Sequence, residues 1–305
     1  MKRAVRGPLF WVSAARAPFF TGSAAPVVVG FAVAWHEADA FDWAIGALAL
    51  IALVCLHAGA NLANDYFDHV SGNDEANVTY WTPFTGGSRL IQRGDVRAWE
   101  VLAASLTCFA VGGGIGCYLV WIAGWPVLLL GTVGALTGFF YTAPPLKLGY
   151  RGLGELTVFL DFGVLPVLGA YYVQVRAFSL AAVAAGAVVG LLMVNVLWIN
   201  QFQDLEADAA VAKRHWVVRL GRARSAWVHM AAFAAAYGCL VLSIAVGLLP
   251  GWAALGLVSL PIAVRTAAVS LRHHSKLDRL RPANVGTVIV HVVTSVGMTL
   301  GILLS

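Results

Sequence analysis

Two short runs of amide and carboxylate side chains interrupt an otherwise apolar chain: Asn61-Leu-Ala-Asn64-Asp65-Tyr-Phe-Asp68 and Asn200-Gln-Phe-Gln-Asp204-Leu-Glu-Ala-Asp208. Each places an Asn four residues before an Asp. At about 100° per residue on a helix, Asn61, Asp65 and Asp68 share one face, as do Asn200, Asp204 and Asp208. Hard oxygens in that arrangement suit Mg²⁺, which takes one or two carboxylates and completes its shell with water and substrate phosphate. Asp65, Asp68, Asp204 and Asp208 are the expected ligands, with Asn61, Asn64 and Asn200 contributing amide oxygens or bonds to bound water. Two opposed clusters of this kind could hold metal ions on either side of a diphosphate. Neither run has the form of an EF-hand loop, which argues against Ca²⁺. The bland alternative is a pair of solvated helix ends. Carboxylates at a membrane boundary are costly unless paired or solvated, and finding two such runs in a charge-poor chain favours a shared site.

Carboxylates alone repel a diphosphate, so basic residues nearby are needed. Arg89, Arg93, Lys147, Lys213 and Arg214 are the candidates. Arg grips phosphate oxygens in a bidentate manner, whereas Lys offers a compact charge. Each can also serve simply to orient the chain in a membrane. Lys147 stands apart because it follows Tyr141-Thr-Ala-Pro144-Pro145, where proline ends a helix and turns the chain back over the expected cavity. Arg16, at the entrance to the first apolar stretch, either reaches phosphate or marks the membrane boundary.

These residues require helices to carry them. Of 305 residues, 60% are hydrophobic and 11% charged, whereas a soluble domain carries about a quarter charged residues. Stretches long enough to cross about 30 Å of hydrocarbon are predicted near 17–36, 43–64, 98–121, 125–142, 153–174, 178–200, 225–248, 252–271 and 284–304. The expected fold is all-α, one transmembrane domain over 1–305 with nine helices around a central cavity. Both acidic runs begin at the same end of their helices, the second and the sixth, as in a weak internal duplication. With the N-terminus inside, only Arg176 of the 20 Lys and Arg falls on the outer side, which predicts a multi-pass protein of the inner (cytoplasmic) membrane with its polar mouth cytoplasmic. The opening Lys2, Arg3 and Arg6 then flank a retained anchor and not a cleaved signal. The net charge of +5 reads as an orientation signal, and nothing supports nucleic-acid binding. Cys55, Cys108, Cys117 and Cys239 lie in apolar stretches without metal or redox spacing.

The Asn-Asp-Tyr-Phe-Asp segment, the Asn200/Asp204/Asp208 segment and Tyr141-Thr-Ala-Pro-Pro-Leu-Lys147 together resemble, in matching order, the three signatures of the UbiA superfamily of membrane prenyltransferases. Asn61-Leu-Ala-Asn-Asp-Tyr-Phe-Asp68-x-x-x-Gly72-x-Asp74 and Tyr150-x-Gly-Leu-Gly-Glu155 are most similar to the branch that prenylates 1,4-dihydroxy-2-naphthoate for menaquinone synthesis. Two segments depart from that branch: Thr82-Pro-Phe-Thr-Gly-Gly-Ser-Arg89 stands where Gly-Pro-Leu-Arg is usual, and Ala212-Lys-Arg-His215 where Gly-Lys-Arg-Thr is usual.

The resemblance implies Mg²⁺-dependent ionisation of an isoprenyl diphosphate and attack of an aromatic acceptor on the allylic cation. Phe139, Phe140, Tyr141, Phe159 and Trp198 are candidate aromatic faces for that cation, with core packing as the alternative for each. Asp161, within the fifth apolar stretch, is a functional hypothesis by default. It would orient the acceptor hydroxyl or receive a proton, or else bond a neighbouring helix. His57 reads as a packing residue. The tail is expected to descend into an apolar cavity bordered by lipid. Two other readings share these features: a cyclase of the same superfamily that uses no acceptor, and a transporter built on repeated helices.

Overall fold

The computed structural model describes residues 7–82 and 84–305; Lys2, Arg3, Arg6 and Pro83 lie outside the described residues. In hydrocarbon an apolar run must satisfy its own backbone, and a helix does so within one segment. The described residues form α1 (Pro8–Ala14), a 3₁₀ turn (Ala17–Phe20), α2 (Thr21–Ala38), α3 (Trp43–Val70), α4 (Asn73–Ala76), α5 (Ala98–Ala123), α6 (Pro126–Phe139), α7 (Gly154–Phe159), α8 (Leu165–Val175), α9 (Leu180–Ala210), α10 (Trp216–Ala245), α11 (Leu260–His273) and α12 (Leu277–Leu303). No strand occurs among them. Local signals set several starts. The Asp42 carboxylate accepts from the amides of Ala44 and Ile45 at 2.8 and 3.0 Å to open α3, and Ser179 Oγ accepts from Ala182 N to open α9.

All nine expected stretches are helical, and eight are long and apolar enough to cross a membrane among the described residues. The ninth, α6, has only 14 residues, about 21 Å at 1.5 Å per residue. It was expected to reach 142 but ends at Phe139, close before Pro144 and Pro145. The polar stretches are more helical than their composition implies. α9 continues through both of its acidic residues to Ala210, α10 begins at Trp216 with the His215 ring as its cap, and α12 begins at Leu277.

The fifth span changes pitch midway. Between α7 and α8 a π-helical turn occupies Leu160–Val164. Pro166 has no amide proton for the Phe162 carbonyl, so regular α bonding cannot run through this point. At the same turn Gly163 meets α9 backbone to backbone: a Cβ added there would lie 2.6 Å from Gly186 O and from Gly190 N. Only glycine permits that crossing.

α9 and α12 are the most enclosed spans. Val188, Val189 and Leu192 of α9 pack with Val29 and Val33 of α2, Phe233 of α10 and Met298 of α12. Several polar groups between these helices are paired, although Asn195 Oδ1, Ser225 Oγ and Ser295 Oγ find no partner. Asn195 Nδ2 donates to His229 O, the His229 ring meets Ser270 Oγ and Thr287 Oγ1 at 3.1 Å each, and Tyr237 meets Ser259 at 2.7 Å. Such bonds contribute about 0.6 kcal/mol each in membranes, enough to fix how α9, which carries the second acidic run, is rotated.

Candidate active site

The acidic ends of α3 and α9 flank one cavity of about 200 Å³. Asn61, Asn64 and Asp68 come from α3, and Asn200, Asp204 and Asp208 from α9. Between them lies the segment that follows α3. Gly72, with φ 76°, turns the chain so that α4 folds back across the opening, and its Asn73 Nδ2 donates to Asp208 Oδ1 at 2.8 Å. Asn77 Nδ2 donates to Asp204 Oδ1 at 2.6 Å. The two runs are thus stitched together by amides from a loop.

Among the described residues, two cations line this cavity. Lys213 Nζ stands 3.6 Å from Asp68 Oδ2 and 3.3 Å from Asp208 Oδ1, bridging the two helices. Burial alone would lower its ammonium, but Asp208 and Asp68 outweigh that and hold it well above its ordinary value. Arg16 pairs with Asp65 through Nη2 and donates to Asn64 Oδ1 at 3.2 Å. Burial pulls the guanidinium down and Asp65 more than restores it. Asp65 itself lies behind the cavity wall, its other oxygen accepting from Ser88 N at 3.1 Å. Gly87 separates it from the opening, and a Cβ there would come within 2.9 Å of Asp65 Oδ1. Asp74 also borders the cavity. Burial, reinforced by Asp68 and Asp65, pushes its carboxyl up to about 8.

The remaining expected residues are distributed unevenly. Tyr141 lines the cavity. Asn61 and Asn200 reach its wall while also holding structure: Asn61 Nδ2 donates to Ala15 O at 3.0 Å, just before Arg16, and Asn200 Oδ1 accepts from Asn284 at 2.8 Å. Arg89 is buried outside the cavity, donating to Asp74 O and to Asn77 O and lying 3.9 Å over the Tyr80 ring. It clamps the loop that presents Asp74 and Asn77. Lys147 rests over the Tyr150 ring at 5.0 Å, Arg93 donates to Ser88 O and pairs with Asp95, and the Arg214 side chain is exposed. None of these three lines the cavity. Trp198 is a core residue whose indole donates to Ser225 O.

Sequence reasoning gave no role to Asn73, Asn77 or His215. His215 Nε2 lies 2.8 Å from Asp208 Oδ2 while its Nδ1 accepts from Val218 N, so the ring proton sits on Nε2 and holds the carboxylate. The Ser71-Gly72-Asn73-Asp74 turn signal could have identified the returning loop.

Among the described residues no three His, Cys, Asp or Glu side chains converge as a self-sufficient metal cage. The donor set nevertheless fits Mg²⁺, which uses few carboxylates and relies on water and phosphate. Buried Asn73 Oδ1 and Asn77 Oδ1 have no hydrogen-bond partner, leaving two acceptors beside Asp208 and Asp204 for the protons of a cation's water shell.

A second cavity of about 400 Å³ lies against the first, between α3, α5, α6 and the fifth span. Its lining is apolar and rich in glycine, including Gly113, Gly116 and Gly131. His57 and Phe162 line both cavities. Their rings meet edge to face at 4.7 Å, and Phe20 adds a third ring 5.4 Å from His57. His57 is packed between these rings and bonded to Ser23 Oγ at 2.7 Å, as a packing residue would be, and Phe162 was missed because a Phe in an apolar helix carries no signal of its own. Asp161 lines the apolar cavity next to Phe162.

A sequence profile of the UbiA prenyltransferase family matches residues 23–287. The 1,4-dihydroxy-2-naphthoate octaprenyltransferase of Mycobacterium tuberculosis is 34% identical over 258 residues, 84% of each chain. Its namesake from Escherichia coli is 30% identical, over 97% of this chain and 95% of the relative. A UbiA homolog from Aeropyrum pernix K1 superposes with a TM-score of 0.66 at 17% identity, covering 93% of this chain and 98% of that one. The UbiA homolog from Archaeoglobus fulgidus bound to DMAPP and Mg²⁺ gives 0.58 at 14%, covering 94% and 98%. With two carboxylate-bearing helix ends facing one polar cavity and a profile that spans most of the sequence, the chain belongs to the UbiA prenyltransferase family.

Proposed function

We propose that this multi-pass membrane enzyme transfers a polyprenyl group from an isoprenyl diphosphate to an aromatic acceptor of the 1,4-dihydroxy-2-naphthoate class, with Mg²⁺ in the polar cavity. The observation that carries the reading is the junction of the two cavities. A polar chamber holding Asp68, Asp204, Asp208 and Lys213 adjoins an apolar one across the shared residues His57 and Phe162, which matches a substrate with a charged head and a hydrocarbon tail.

Asp68, Asp204 and Asp208 would hold the cation, and Asp65 would position Arg16. The cation supplies charge neutralisation for the departing diphosphate. Lys213 and Arg16 would pair with diphosphate oxygens, exchanging carboxylate partners for phosphate ones. The C–O bond breaks with its electron pair leaving on the diphosphate, the ring carbon of the acceptor supplies the pair for the new C–C bond, and that carbon then loses a proton, or CO₂ where it bears the carboxylate, returning the bonding pair to the ring. The face of Phe162, which lines both cavities, would favour the allylic cation by about 0.5 to 2 kcal/mol. The tail gains about 0.8 kcal/mol for each CH₂ buried. The Lys and Arg distribution supports a cytoplasmic mouth in the cytoplasmic membrane.

Purified protein supplied with an allylic diphosphate and 1,4-dihydroxy-2-naphthoate is expected to form a prenylated naphthoquinol, lose the activity on chelation with EDTA and regain it with Mg²⁺. A cyclic hydrocarbon formed without acceptor would overturn the transferase reading in favour of a cyclase.

Tail placement has its own test. Gly131 lines the apolar cavity, and a Cβ there meets nothing within 4 Å, so the branch of Gly131→Leu starts in open space. The variant should lower kcat/KM for an octaprenyl diphosphate by about tenfold, the scale of one misfitted group in an apolar pocket, and leave a dimethylallyl donor little changed. Equal effects on both donors would place the tail elsewhere.

A further inference from the structure

Asp161 is the only carboxyl among the described residues lining the apolar cavity. It sits on the π turn at Leu160–Val164, a departure from α geometry that is frequent at functional sites. Both of its oxygens lie 2.8 Å from Thr137 Oγ1. That hydroxyl is also 2.7 Å from Val133 O, and it has one proton to give. If the proton goes to Asp161, the carboxylate keeps acceptor capacity for a further donor. If it goes to Val133, a protonated Asp161 donates to Thr137 through one oxygen and leaves the other as a free acceptor. In either state the side chain keeps an unfilled acceptor beside a mostly apolar lining, whose other polar side chains are Ser23, His57, Cys117 and Thr132. A hydrocarbon tail alone would leave it unpaired, and a polar group in apolar surroundings is costly without a partner.

The position narrows what that partner is. Asp161 precedes Phe162, which lines both cavities, and Thr137 precedes Tyr141, a polar-cavity residue, by four positions. The carboxyl therefore lies just on the apolar side of the junction. An aromatic ring placed to attack the diphosphate-bearing carbon would occupy that level. We propose that Asp161, held by Thr137, accepts a hydrogen bond from a phenolic hydroxyl of the acceptor, so that the π turn forms the acceptor-recognition site and sets specificity for hydroxylated aromatics. This rests on the prenyl-transfer reading. The bond anchors the ring and raises electron density on it by polarising the O–H, which increases the nucleophilicity of the neighbouring ring carbon.

The test compares Asp161→Leu and Asp161→Asn with the parent enzyme, using 1,4-dihydroxy-2-naphthoate and its two monohydroxy analogues, 1-hydroxy-2-naphthoate and 4-hydroxy-2-naphthoate, as substrates or competitive inhibitors. Asp161→Leu is expected to raise the KM for the dihydroxy acceptor about ten- to a hundredfold, the scale of one hydrogen bond to a charged group, while the KM for the prenyl diphosphate stays within about twofold. Asp161→Asn retains an acceptor oxygen and should fall between. For the analogue that lacks the recognised hydroxyl, the penalty should disappear. An acceptor KM unchanged in Asp161→Leu, an equal rise in the diphosphate KM, or the same penalty on all three aromatics would overturn the assignment. Parent enzyme that fails to prenylate the dihydroxy acceptor would instead overturn the underlying reading, whatever occupies position 161.

Discussion

Alanine at Asp68 or at Asp204 is expected to lower turnover by about a hundred- to a thousandfold, the range seen when one preorganised partner of a developing charge is removed. Both side chains line the polar cavity, and neither is part of the apolar core. Asp68 shares Lys213 with Asp208, so its removal leaves the ammonium paired. Asp204 receives a bond from the Asn77 amide, a group near enough to the opening to find water. Thermal unfolding should therefore shift little, and Asp→Asn at either site, which keeps the shape but not the charge, should be nearly as inactive as Ala. Single-turnover product formation beside a melting curve would decide the matter. Normal turnover in either variant, or a loss that tracks unfolding, removes that residue from the proposed cation site.

The second large effect concerns stability. Gly163→Val should destabilise the protein by at least about 3 kcal/mol, the upper end for overpacking an interior, because the added carbons would have to occupy the volume of Gly186 O and Gly190 N on α9. No rotamer avoids the collision, since the clash begins at Cβ. Gly169→Val on α8 is the matched control: its Cβ would find its nearest neighbour, Leu130 Cδ1, at 3.9 Å. Melting temperatures of the two variants in one detergent should separate clearly. If they coincide, the backbone crossing at the π turn is not the fixed joint described above.

Much of this arrangement was legible in the residues. Helix existence follows from hydropathy, and the one-sidedness of Asn61/Asp65/Asp68 and Asn200/Asp204/Asp208 follows from helical periodicity alone. What the sequence could not rank correctly was its cations. Its Pro-Pro context set Lys147 apart from Arg93, Lys213 and Arg214, whereas it is the turn between α9 and α10 that brings Lys213 between Asp68 and Asp208. Arg89 was legible as a basic residue beside an acidic run but not as the clamp on Asp74 and Asn77, because its partners are backbone carbonyls. Asp65 could not be told from Asp68 by face, and the difference arises from Arg16, which approaches from a separate segment. The π turn escaped notice because Pro166 at its exit resembles any helix-start proline, and Gly163 any small residue in a membrane helix.

The shortness of α6 has a consequence for the bilayer itself. Trp43, Trp121, Trp125 and Trp252 are all strongly exposed and lie at the helix ends opposite the polar cavity, a ring of indoles that fixes one interface. α6 starts from that ring and falls roughly 9 Å short of the other hydrocarbon boundary. The deficit lies wholly on the side where Tyr141 and the acidic residues meet. Exposed Leu146 and Leu153 in the segment beyond α6 give the chain an apolar rim there, and a bilayer meets such a rim by thinning around it. Headgroups drawn inward at this flank would bring the polar chamber to the depth of acyl chains, where a lipid-borne donor would engage it without its head rising from the membrane. Turnover is then expected to vary with membrane thickness as well as with substrate concentration, a dependence that liposomes of different acyl length would read.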